Sequence, residues 1–153
     1  MDRLLNENIK DRLAPCGLHC GKCFAFSEGE IRKSSIDLKK ALGKFDIYAQ
    51  RFVDLIDAPV FKKYPDFKAL LTYFATIECK GCRKETCRLF KDCKVRDCHK
   101  EKGVDFCFQC SDFPCSNTGF DDHLYKRSVD INKRIKEIGI EKYYEEIKDK
   151  PRY

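Results

Sequence analysis

Eleven cysteines dominate the chemistry open to this 153-residue chain, and eight of them fall between Cys79 and Cys115. Within that stretch Cys79-x2-Cys82-x4-Cys87 returns as Cys107-x2-Cys110-x4-Cys115 at a shift of 28 residues. Two thiolates separated by two residues can meet one cation from a single tight turn, the commonest way a short loop presents sulfur to zinc. Gly81 gives the first copy the backbone freedom such a turn uses, and Gln109 holds that place in the second. A tetrahedral site needs a fourth ligand for each triplet, and Cys93 and Cys98 lie between the two. A sequential pairing puts Cys79, Cys82, Cys87 and Cys93 on one ion and Cys98, Cys107, Cys110 and Cys115 on the other. An interleaved pairing fits the spacing equally well.

A third group, Cys16, Cys20 and Cys23, occupies eight residues near the N-terminus, with Gly17 and Gly21 permitting sharp turns. Its fourth ligand is open between His19, His99, a cysteine of the other module and water, the last leaving a reactive position. His123 reads as an ordinary surface or core residue. The expectation is two or three zinc ions on eleven cysteines, with an iron–sulfur cluster as the alternative, since clustered thiolates serve either metal.

Other chemistries find less support. Cys16-x3-Cys20-x2-Cys23 has the spacing of the radical S-adenosylmethionine cluster motif, but Lys22 stands where an aromatic residue is usual and the alternating strands and helices of that barrel are missing. The Cys-x2-Cys pairs do not sit between a strand and a helix, as thiol–disulfide exchange requires. The chain has no Gly-rich phosphate loop, Gly-x-Ser-x-Gly elbow or His-Glu-x-x-His helix.

A formal charge of +6 and the basic residues crowding the Cys module raise nucleic-acid binding as a reading. Metal alters the count. Eight bound thiolates bring eight negative charges and two zinc ions four positive ones, so the +6 falls to +2. The lysines and arginines then serve to offset zinc–thiolate charge, which is favoured over a polyanion partner. A protein or small-molecule partner is otherwise left open.

These groups have to be held by helices. Leu38, Leu42, Phe45, Ala49, Phe52 and Ile56 recur at helical spacing from Ser34 on, and Asp57-Ala58-Pro59 stops the run. A second helix starts near Pro65-Asp66 with Phe67, Leu70, Leu71, Phe74 and Ile77 on one face and leads into Cys79. In the tail, Leu124, Ser128, Ile131, Ile135 and Ile138 form a third stripe that Gly139 ends, with a short helix from Glu141. These stripes are core rather than cofactor faces. The fold expected is mainly α: one domain over 1–153, with a Cys-rich segment at 14–26, helices at 34–77, the metal module at 79–115 and a helical tail at 121–149. Any β-structure is limited to short hairpins around metal.

The N-terminus lacks the apolar stretch of a secretory signal, and the most apolar run, Ala69 to Ile77, is far below the roughly 20 residues that span a bilayer. Reduced thiols in the cytoplasm, with no membrane segment, are therefore expected.

Ala14-Pro15-Cys16-Gly17-Leu18-His19-Cys20-Gly21-Lys22-Cys23, Cys79-Lys80-Gly81-Cys82 and the run from Lys102 to Cys115 together resemble a prokaryotic Cys-rich family, domain-of-unknown-function family 3795. The likeness extends to the Asn132–Gly139 tail. It implies a bacterial or archaeal cytosolic zinc-binding protein and brings no activity with it. The leading reading is a structural-zinc interaction module rather than an enzyme. A metal-dependent enzyme with an open position at the N-terminal triplet, an iron–sulfur electron carrier and a nucleic-acid-binding zinc protein are the alternatives.

Overall fold

The structure, a computed structural model, describes residues 2–84 and 89–153. It is mainly α, as expected. The described residues form seven α-helices: α1 (Asp2–Arg12), α2 (Glu30–Leu42), α3 (Phe45–Leu55), α4 (Tyr64–Thr76), α5 (Val95–Glu101), α6 (Asp122–Ile138) and α7 (Ile140–Ile147). No strand occurs among the described residues, which carry an isolated antiparallel bridge between Leu13 and His19, within the limit of short hairpins that was expected. The chain forms two compact units, Met1–Cys23 with Cys79–Tyr153, and Phe24–Glu78.

In the first unit α6 is the central helix. Asp121 caps it by accepting from the Leu124 N–H at 2.9 Å, and Gly139, at φ +85°, ends it in a conformation glycine adopts without strain. Leu124, Ser128 and Ile135 of the expected stripe are buried, while Ile131 and Ile138 are half-buried. Ile135 joins Ile9 and Leu13 from the α1 end, Phe106, and Tyr143 of α7 in one apolar cluster. Asn132 lies fully buried on the same face. Its Oδ1 accepts from the Phe108 N–H at 3.0 Å and its Nδ2 donates to the Ser128 carbonyl at 3.0 Å, so both polar ends are satisfied and the 107–109 turn is tied to α6.

In the second unit the single run expected from Ser34 to Ile56 is two helices. Gly43, at φ +52°, ends α2, and α3 begins at Phe45. The apolar spacing carries across the break, which conceals the turn in the sequence. α2 packs on α4, and Arg32 joins their ends by donating to the Ile77 carbonyl at 3.2 Å and to Glu78 at 3.0 Å. Leu71 is buried on α4, but Phe67 and Leu70, expected on the same core face, are exposed.

Gly119, at φ +73°, lies against the residues before Cys93. A Cβ there would fall 1.9 Å from the Asp92 carbonyl oxygen, whereas one at Gly103, φ +65°, would meet open space. Gly119→Ala should therefore lower stability by roughly 3 kcal/mol or more, and Gly103→Ala by only about 1 kcal/mol, the cost of the left-handed backbone alone. Urea unfolding of the two variants under identical conditions measures the difference.

Candidate metal centre

The N-terminal cysteine loop runs through the interior, residues 13–20 all being buried. A buried irregular loop must have its backbone groups paired, and here they are. Ala14 and Leu18 bond across it at 2.8 Å, and Gly17 donates to the Ala14 carbonyl at 2.8 Å. The Pro15 carbonyl accepts from the Cys107 N–H at 3.0 Å, which fastens the loop to the second Cys-x2-Cys segment. Gly17, at φ +90°, faces Ile131 so closely that a Cβ would fall 2.2 Å from that side chain. Only glycine lets the loop approach α6 this far.

Cys16, Cys20 and Cys93 are buried together among Ala14, Leu18, Val95 and Leu124, and Cys82 and Cys107 pack against them. The N-terminal group and the central module thus share a core, although more than 70 residues of sequence separate Cys20 from Cys93. Burial pushes the Cys16 thiol up to about 12; its Leu18 backbone hydrogen bond opposes this, and the neighbouring Cys20, Cys107 and Cys93 each add a smaller upward effect.

Arg83 stands beside this group. Its Nε donates to the carbonyls of Lys10 at 2.9 Å and Leu13 at 2.8 Å, its Nη2 to the Asp105 carbonyl at 2.7 Å, and its guanidinium lies 4.8 Å over the Phe106 ring. Burial lowers its pKa, while Asp105, Cys20 and Cys16 act in the opposite direction. In sequence it is one of many basic residues near cysteine, and nothing there distinguishes it.

Cys98, Cys107, Cys110 and Cys115 line a second feature, a cavity of about 40 Å³ closed by Val95 and by Tyr125, Ser128 and Val129 of α6. Cys98 comes from α5 and Cys107 from the turn Cys107–Gln109, closed by the Cys110 N–H bonding the Cys107 carbonyl at 3.1 Å. Gln109 fixes the entry to that turn, its Oε1 accepting from the N–H groups of Asp105 at 2.8 Å and Phe106 at 2.9 Å. Burial, then Cys115, Cys98 and Cys110, push the Cys107 thiol up to about 12. Burial, Cys115 and Cys110 raise Cys98 as well. These four are the residues that the sequential pairing assigns to a single ion. Cys93, which that pairing gave to the Cys79 group, packs with Cys16 and Cys20, and Cys82 of the same group packs against them.

The turn at Cys107 has its counterpart at Cys20. There the Cys23 N–H bonds the Cys20 carbonyl at 2.9 Å in the same one-turn form, whereas the Cys79 segment bends at Gly81, φ +100°, whose carbonyl accepts from Lys84 at 3.1 Å. The sequence repeat pairs Cys79 with Cys107, and the backbone pairs Cys20 with Cys107. Cys79 is buried, its Sγ facing the Gly81 N–H at 3.4 Å. Cys23 is buried, and its Sγ accepts from the Tyr153 hydroxyl at 3.8 Å. Cys87 lies outside the described residues. No disulfide joins any two of the ten described cysteines, and no three His, Cys, Asp or Glu side chains among the described residues converge closely enough to hold an ion as they stand.

His99 lines the four-thiol cavity. Its Nδ1 lies 3.2 Å from the Val104 carbonyl, and its Nε2 is buried with no hydrogen-bond partner. His19 is buried with both ring nitrogens unpartnered, and burial, then Lys22, Arg12 and Arg152, push its pKa down to about 4. The tail segment at Arg152 covers it, Nη1 donating to the His19 carbonyl at 2.7 Å. His123 is exposed at the start of α6.

The family model described as a protein of unknown function, DUF3795, matches residues 12–119, a span that holds both thiol groups. No curated protein and no solved structure matches the chain.

Because the Cys16 and Cys107 thiols sit above their ordinary value of 9.0, their contribution to stability is fully present below pH 9 and is lost as pH rises toward 12. Metal-free protein should show a urea midpoint that falls progressively above pH 9. Cys16→Ala should make that fall shallower, as a pH series of unfolding curves would show.

Proposed function

The chain belongs to the DUF3795 family, and we propose that it is a zinc-binding protein whose two thiol groups each hold one structural ion, shaping a surface for a partner. The observation that carries this reading is that Cys98, Cys107, Cys110 and Cys115 all line one small cavity. A space of about 40 Å³ exceeds the roughly 10–15 Å³ a single water needs, and it suits one ion rather than a cluster of several irons. Thiolate sulfur is the donor that zinc prefers in closed four-ligand sites, and a closed site leaves no position for substrate. His99 adds an imidazole to that wall.

Loading requires the neutral thiols to release their protons and draw inward. The apparent zinc affinity accordingly rises with pH over the neutral range. In the core group, Cys16, Cys20 and Cys93 would be joined by Cys82, and the Arg83 charge would offset the anionic centre. The segments involved are short turns with little regular structure of their own, the setting in which a structural ion contributes most. Zinc in small peptides contributes on the order of 10 kcal/mol of folding free energy per ion.

Mass spectrometry on protein purified without chelator should find two zinc ions per chain, and Cys110→Ser should leave one. Chelation should open the 79–115 region to protease while 24–78 stays helical by circular dichroism. A verified metal-free sample with unchanged spectrum and protease pattern would sink the proposal.

A further inference from the structure

The second unit, Phe24–Glu78, presents more apolar surface than its own small core covers. Ten of the eleven large hydrophobic side chains exposed among the described residues lie between Ile36 and Tyr73, and the core beneath them is Ser35, Ala49, Tyr64, Leu71 and Ala75. On α3, Tyr48 and Leu55 stand seven residues apart on one face, 50 % and 64 % exposed. On α4, Phe67, Leu70 and Tyr73 follow at intervals of three, 43 %, 60 % and 51 % exposed. Val60, in the turn that joins them, is 67 % exposed.

The two faces are linked by a continuous run of rings. Tyr48 contacts Phe52 at 6.1 Å, Phe52 contacts Phe45 at 5.9 Å, Phe45 contacts Tyr64 at 5.2 Å, and Tyr64 contacts Phe67 at 5.9 Å. An apolar surface with aromatic anchors and charged edges has the make-up of a protein interface. Asp46 and Lys68, paired at 3.3 Å, adjoin Ile47 and Phe67 in sequence and give that edge both signs of charge.

We propose that this surface is where a second copy of the chain docks, α3 and α4 of each copy packing on those of the other. Two observations favour a copy over other occupants. Residues 24–78 contain nine Lys and Arg against eight Asp and Glu, a difference of one, so two such surfaces meet without net repulsion. The same balance offers no pull to a polyanion, an acidic peptide or an anionic lipid surface. The exposed apolar side chains together present on the order of 1,000 Å², and a stable interface buries about 800 Å² per partner. A two-fold contact uses the same patch on both copies, which a segment of nearly balanced charge permits. The association does not depend on metal in the first unit.

Sedimentation velocity on the full chain, from low to high micromolar concentration, tests it. The expected result is a concentration-dependent doubling of the 17.9 kDa monomer mass, abolished in a Leu55→Glu, Leu70→Glu double variant whose circular dichroism is unchanged. Hydrogen exchange on the unmodified chain reads the same contact without mutation: α3 and α4 should gain protection as concentration rises. Monomer throughout the range, or a dimer whose protection appears on α6 and α7 instead, would overturn the inference.

Discussion

Burial of the 13–20 loop is the constraint on which the first unit depends. A loop without helix or sheet bonding can enter a protein interior only if other segments satisfy its carbonyls and N–H groups. Arg83 does this for Leu13, Cys107 for Pro15 and Arg152 for His19, so three distant parts of the chain are drawn to one place. The glycine at position 17 removes the last obstacle, a side chain that would strike Ile131. With the loop seated, Cys16 and Cys20 stand in apolar surroundings beside Cys93.

That placement has a chemical consequence. A thiol in such surroundings holds its proton, and it becomes a good ligand only when a cation replaces that proton. The raised values at Cys16, Cys98 and Cys107 arise first from burial and then from the crowding of the other thiols, so the groups that hinder ionisation of each sulfur are potential co-ligands. Arg83 is the compensating feature. A guanidinium cannot give up its charge, and fixed by three carbonyls and a ring it stays beside the sulfurs whatever their protonation state.

The two units rest on different physics. In the first, an apolar cluster joins α1, α6 and α7, and polar ties fasten the thiol-bearing 13–20 loop beside α6. In the second, aromatic contacts across α3 and α4 supply the cohesion, and much of the apolar surface is left facing solvent. Three helices over 55 residues have too little interior to bury every apolar side chain, which is why Phe67 and Leu70 lie outside although their spacing matches a core stripe.

Much of the local structure was legible in the sequence. The helical periods, the proline and glycine boundaries of α4 and α6, the scarcity of strand and the turn-forming Cys-x2-Cys pairs all arise from neighbours within a few residues, where spacing fixes geometry. The helix α1, the short α5 and the break at Gly43 escaped, because short or continuous apolar patterns do not reveal where a helix starts or turns. Which sulfurs meet was decided by the tertiary structure. Cys93 joins Cys16 and Cys20, and Arg83 differs from the other basic residues, because long-range packing and backbone pairing place them, and spacing along a chain records no contact made across 70 residues.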